Sequence, residues 1–280
     1  MFKTENHYHI DYLGEAGITE TCLHSMYNLI QTHSDLNTAL LLTNDQSHAF
    51  LLKDLTENYY IIRSGFTSGY SGEGPKGLAK ALTILNKHQI DTEEILVTSK
   101  LMIKLNDASL SDHEIDFIFR EKIVRPIRLH DYIYPFENEV AQTAKSKRYY
   151  PLELPYSIID DRIFDLALLF KQDPDSALTK AYKRLEDIVR TRTGIHEHST
   201  KLFAQVFQGE NAILTWDVPD NAEIKGRVNL FTGAYMAFRN ARTHREKDEN
   251  IIHQYREFLL INELYLLEQE AILIQPKESI

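Results

Sequence analysis

The apolar residues change period part-way along this chain, and that change constrains the fold more than any other feature. Between residues 38 and 64 they come as short runs, TALLLT, AFLLKDL and NYYIIRS, broken by the turn NDQSH and by polar residues. Runs of this length bounded by turn residues predict antiparallel hairpins. From residue 158 onward apolar residues recur at three- and four-residue spacing, as amphipathic helices require. The two patterns need different packing partners, so a chain of 280 residues is expected to hold two units of different class.

The first unit reads as α+β with a short antiparallel sheet, over residues 1–135. A helix is predicted over 19–33, where Leu23, Met26, Tyr27 and Ile30 share a face. Five of the 11 glycines fall between Gly65 and Gly77. Pro75 then suits the opening of a helix whose buried stripe is Leu78, Ala81, Leu82 and Leu85. EILVT (94–98) reads as a strand, and Ser111 with Glu114 as a capping box. Pro126, Pro135, Pro151 and Pro155 accumulate around Lys145, Lys147 and Arg148, which predicts a proline-rich connector over 136–157. Residues 158–280 read as an all-α bundle, with a helix that starts after 173 and stops at Gly194.

Composition narrows the function classes. No apolar run approaches the roughly 18 residues of a membrane span, and the first residues carry no apolar stretch of a secretory signal. Cys22 is the single cysteine, which excludes a disulfide framework and a cysteine-rich zinc site; a cytoplasmic protein is expected. The net charge of −10 is shared evenly, 15 basic against 20 acidic residues up to residue 150 and 16 against 21 beyond it. Neither half is a polycation, so any nucleic-acid contact must rest on a local basic cluster.

One such cluster exists. RNARTHREK (239–247) sets Arg239, Arg242, Arg245 and Lys247 against Glu246 alone. Arginine matches phosphate oxygens in two-pronged fashion, and a following helix N-terminus would add free N–H groups. His244 carries a side chain suited to moving a proton near neutral pH. An arginine and a histidine at one helix junction are a minimal kit for cutting RNA through its own 2′-OH. Arg242, Arg245 and Lys247 are expected to bind RNA.

These residues also carry a resemblance. Arg239-Asn240-Ala241-Arg242-Thr243-His244 resembles the R-x4–6-H signature of HEPN ribonucleases. KLFAQVFQGENAILTW (201–216) and GRVNLFTGAYMAFRNARTHRE (226–246) are similar to the Ymh-type HEPN family, and the likeness runs over residues 158–272. It implies a helical bundle that forms a homodimer or higher homo-oligomer with two motifs facing each other. It implies metal-independent endoribonuclease chemistry without a cofactor, in toxins or antiphage (abortive infection) effectors. Carried over, Arg239 and His244 are the catalytic pair, and Asn240 orients the histidine or contacts phosphate. Relatives paired with a nucleotidyltransferase have a tyrosine two residues after the histidine; Glu246 stands there, so silencing by adenylylation is not expected. The RNA substrate would be tRNA or mRNA, with a protein regulator or phage trigger acting through the first domain. The alternative is a non-catalytic HEPN-fold module for RNA or nucleotide binding and dimerisation.

Three lesser features complete the reading. Glu186 and Arg190 lie four apart on one helix face and read as a surface ion pair, or alternatively as support for the motif. His196, Glu197 and His198 lack a third metal ligand at a recognisable spacing and read as loop. Gly72, Gly74 and Lys76 form the centre of a loop read first as a structural turn, and alternatively as a ligand or partner contact or a second active site; it lacks the G-x-x-x-x-G-K-[ST] pattern of a P-loop.

Overall fold

The apolar runs between residues 36 and 67 pair as a meander of three antiparallel strands, β2 (Leu36–Asn44), β3 (Ser47–Asp54) and β4 (Tyr59–Thr67). Two more strands pair in parallel at its edges, β1 (Ile10–Leu13) on β4 and β5 (Asp91–Leu96) on β2. The result is a mixed sheet of order β1-β4-β3-β2-β5, with the expected antiparallel sheet as its centre. The sequence reading did not include β1, whose residues IDYL are only half-buried and carry little apolar signal.

This computed structural model describes residues 8–140, 147–209, 211–244 and 250–274; the chain divides into the units Met1–Leu152 and Glu153–Ile280. In the first unit, Leu41, Phe50, Leu52, Tyr60 and Ile62 pack under α1 (Thr19–Thr32) and α2 (Glu73–Lys87). Their strand neighbours Leu40, Leu42, Leu51 and Ile61 face the other way, against α3 (Ser99–Asn106) and α4 (Asp112–Arg120). Burial on both faces is why these strands read as continuous apolar runs rather than alternating ones. At the start of α4 the Glu114 carboxylate accepts from the Ser111 backbone N–H at 2.9 Å, as the capping box predicted.

Asp54 ties the β3–β4 turn. Its buried carboxylate accepts from the backbone N–H groups of Thr56 (2.8 Å) and Asn58 (2.9 Å), the Asn58 amide (2.8 Å) and the Tyr60 hydroxyl (3.0 Å). Burial pushes this carboxyl up, but the bonds outweigh it and hold it at about 2. A lowered folded-state pKa stabilises above the unfolded value and is lost as pH falls through the folded one. Asp54→Asn is therefore expected to cost about 2 kcal/mol at pH 7. The difference from the parent should shrink between pH 4 and 2 in urea titrations followed by circular dichroism.

The chain divides at 152/153, inside the proline-rich stretch, of which residues 141–146 lie outside the described residues. The Tyr149 ring is buried against Tyr27 at 5.2 Å, and Tyr150 meets the same ring edge-on at 4.8 Å. Leu154 is buried in the core of the second unit. Aromatic anchors thus absorb a segment that its prolines had marked as irregular.

A short helix, α5 (Leu129–Ile133), follows α4 in the first unit. The second unit is helical, as expected: α6 (Phe164–Phe170), α7 (Pro174–Thr193), α8 (Ser199–Phe207), α9 (Asn221–Ala234), α10 (Asn240–His244) and α11 (Ile251–Glu270). Asp173 caps α7 by accepting from the Ser176 N–H at 3.0 Å, and Gly194 ends it in the left-handed conformation. The core is aromatic, with Phe203, Phe231, Tyr235, Phe258 and Tyr265 fully buried. Trp216 donates to the Leu267 carbonyl at 2.7 Å and stacks on Phe207. A two-residue ribbon, β6 (Leu214–Thr215) with β7 (Ile272–Leu273), is the one addition to the helices among the described residues. Phe258, Leu264 and Leu267 of α11 serve this core, while Ile251, Ile252 and Leu259 stay exposed. Among the described residues, no helix is long and apolar enough to cross a membrane.

Candidate active site in the helical unit

Helix α9 runs past Ala234 into one π turn, Tyr235–Arg239, before α10 begins at Asn240. Such turns accommodate an extra residue and recur at functional sites. Arg239 and Asn240 therefore sit within a nearly continuous helix, not at the expected exposed junction. Tyr235 anchors the turn from below. Its hydroxyl donates to the Tyr182 carbonyl of α7 at 2.7 Å, and the two rings meet edge-on.

The π turn sets Arg239 over the middle of α7. Its Nε lies 3.4 Å from Oε1 of Glu186, a carboxylate almost wholly buried. Arg190, one turn along α7, reaches Oε2 of the same carboxylate at 3.3 Å. Glu186 thus holds two guanidinium groups together, and it and Arg190 lie beside Arg239. Arg190 also donates to Asp187 at 2.6 Å.

A histidine that the sequence had left in a loop joins them. After Gly194 the chain turns back along α7, and His198 Nδ1 lies 2.6 Å from Arg190 Nη1. A guanidinium only donates, so Nδ1 must carry the lone pair and Nε2 the proton of the neutral ring. His198 is largely exposed, so that N–H is offered to solvent or to a bound group. Beside it, Ser199 Oγ approaches the Asn240 side-chain oxygen at 3.4 Å. No sequence spacing signals the His198–Arg190 contact, because it depends on the return of the loop over eight residues.

Together Glu186, Arg190, His198, Arg239, Tyr182 and Lys183 line a pocket of about 370 Å³. Its walls carry four cationic side chains, Lys183, Arg190, Arg239 and Arg242, and one carboxylate, which suits an anionic ligand such as a phosphodiester. The Tyr182 hydroxyl and Glu186 Oε1 are buried there without a hydrogen bond. Burial pushes the Tyr182 hydroxyl well above its ordinary range, so it is a donor and never an anion near neutral pH.

Arg242 requires a correction. Expected to bind RNA, it is instead buried in an ion-pair cluster: Nε and Nη2 pair with the Glu257 carboxylate at 2.8 and 2.7 Å, and Nη1 pairs with Asp175. It braces α10 on α11, with each of its nitrogens facing a carboxylate, and its side chain also lines the pocket. His244 ends α10, five residues beyond Arg239. Arg245 and Lys247 lie outside the described residues.

In the first unit the glycines of the loop have packing reasons. A Cβ at Gly74 would stand 2.0 Å from Thr67 Oγ1, and one at Gly72 would stand 2.6 Å from the Tyr70 ring. Gly74 lets the start of α2 press onto β4, and Gly72 makes room for the Tyr70 ring. Among the described residues, no three histidine, cysteine or acidic side chains converge.

Residues 166–266 match a family model described as "Protein of unknown function (Hypoth_ymh)", so the helical unit carries the Ymh-type pattern; the N-terminal unit matches none. No curated protein is similar enough to match. A solved chain titled "Respiratory complex I from Thermus thermophilus" is 16% identical over 44% of this chain and 98% of its own, with a TM-score of 0.36.

Proposed function

We propose that the Ymh-type unit is a metal-independent endoribonuclease of the HEPN kind, in which Arg239 and His244 cut RNA by attack of its own 2′-OH. The observation that carries this reading is the meeting of Arg239, Arg190 and His198 around one buried carboxylate, in a pocket lined by the first residue of the motif. Arg239 and Arg190 clamp the phosphate and stabilise the charge that builds on the phosphorane. Glu186 keeps both side chains aimed. His244 moves the proton of the 2′-OH or of the leaving 5′-oxygen, with His198 Nε2–H as a further donor to phosphate. The natural setting is a cytoplasmic toxin or antiphage effector acting on tRNA or mRNA, restrained through its N-terminal unit by a protein regulator or phage trigger.

Incubation of the full chain with total RNA, with and without EDTA, tests the reading. Cleavage undiminished by EDTA is expected. Abolition by EDTA with recovery on adding Mg²⁺ would overturn the mechanism, and RNA binding without cutting would favour a non-catalytic binding module.

The enzyme is further proposed to work as a homodimer, with Ile251, Ile252 and Leu259 of α11, exposed in the single chain, covered by a twofold partner. Light scattering at micromolar concentration should return twice the chain mass. A monomeric mass in a preparation that still cuts RNA would refute the dimer.

A further inference from the structure

The first unit holds a chain of polar contacts that its fold alone does not require. Glu94 is almost wholly buried and accepts from Arg128 Nε and Nη2, both at 2.8 Å, and from the Tyr132 hydroxyl at 2.9 Å. Thr43 Oγ1 donates to the same carboxylate at 2.6 Å. A hydroxyl has one proton, so towards His48 Nδ1, at 2.9 Å, Thr43 must accept. His48 therefore carries its proton on Nδ1. Burial holds the ring neutral, with its pKa lowered to about 4. Nε2 is left as a free base, and Ser68 Oγ stands 2.8 Å from it. The sequence Glu94–Thr43–His48–Ser68 thus fixes the tautomer of the histidine and aims the serine proton at it.

The place of Ser68 gives this arrangement a use. It follows the last residue of β4, and it lines a cavity of about 660 Å³ with Tyr70, Leu78, Tyr132, Phe136 and Asp131. The register slips between His48 and Phe50, a β-bulge of the sort that re-aims a side chain beside an active site. A serine that only satisfied a buried histidine would have no reason to open on a cavity.

We propose that Ser68 is the nucleophile of a second active site, an acyl-transfer site for neutral or cationic carboxylic esters. The walls select against anions, because Asp45 and Asp131 line the cavity and Arg128 is already committed to Glu94. Ser68 Oγ bonds to the carbonyl carbon while its proton passes to His48 Nε2 and the carbonyl electron pair moves to oxygen. The imidazolium then returns that proton to the departing alkoxide as the old C–O bond breaks. An acyl-serine and an alcohol result; water repeats the sequence, freeing the acid and restoring the serine. The residues 68–71 lead from β4 into α2, whose Pro75 and Leu78 also line the cavity. Thr43 and Glu94 are positioning residues.

The test is a fluorophosphonate probe on the full chain, read by intact mass and peptide mapping, with 4-nitrophenyl butyrate turnover alongside. One phosphonyl group on Ser68 is expected. Ser68→Ala should abolish labelling and turnover, and Ser109→Ala, a remote exposed serine, should leave both unchanged. Thr43→Val should slow labelling at least ~10-fold in a chain that still folds, as circular dichroism would show, and Thr43→Ser should restore it. A folded parent chain that takes no label, or takes it on another residue, overturns the assignment. Equal labelling rates in Thr43→Val and the parent would overturn the relay.

Discussion

Arg239→Ala and His244→Ala should each lower RNA cleavage at least ~100-fold, the lower end for a positioned acid–base group, while the helical unit stays folded. The stability half of this expectation follows from the partners. Removing Arg239 takes away one of two guanidinium groups on Glu186, and Arg190 still neutralises that buried carboxylate. The side chain is about one-third exposed, so little packing is lost with it. Arg239→Lys should rescue little, because a lysine keeps the charge but not the planar fork that clamps two phosphate oxygens. Initial rates on total RNA, beside thermal melts of each variant, check both halves. Full activity in both alanine variants would move the chemistry away from this motif.

Arg242→Ala should act in the opposite way, on stability before chemistry. Its side chain is 4% exposed and that of Glu257 1%, so truncation strands a carboxylate in the core. Breaking one side of such a buried pair typically costs about 3–5 kcal/mol. A fall in melting temperature on the order of 10 °C is therefore expected. Replacing both partners, Arg242→Met with Glu257→Leu, should recover most of that loss, since no charge is then left unpaired. If Arg242→Ala instead melted like the parent and lost only RNA affinity, the arginine would be a phosphate ligand and the buried pairing would be wrong.

Arg242 also shows where the sequence stops being legible. RNARTHREK announces a basic cluster, but charge along the chain says nothing of which arginine turns inward. That is decided by Glu257 and Asp175, 15 and 67 residues away. The opposite holds for Glu186 and Arg190, whose four-residue spacing on one helix already placed them on one face, so the contact with Arg239 needed only α7 and the π turn to meet. His198 was illegible because its partner lies across an irregular loop. In the first unit, the apolar runs disclosed β2, β3 and β4, whereas β1 is a half-buried edge with no such run. Tyr149 and Tyr150 were hidden by neighbouring prolines, which mark irregular backbone but not whether it is anchored. The Ser68–His48 contact joins residues 20 apart with no motif between them, and only the pairing of β3 with β4 brings them together.

The chemistry of the new RNA ends tests the central claim most directly. A single purified RNA, cut by the full chain in excess EDTA, should yield 2′,3′-cyclic phosphate and 5′-hydroxyl ends, because the internal 2′-OH is the nucleophile. The same RNA with His244→Ala should remain intact. Products ending in 3′-hydroxyl and 5′-phosphate, or equal cutting by His244→Ala, would contradict the account.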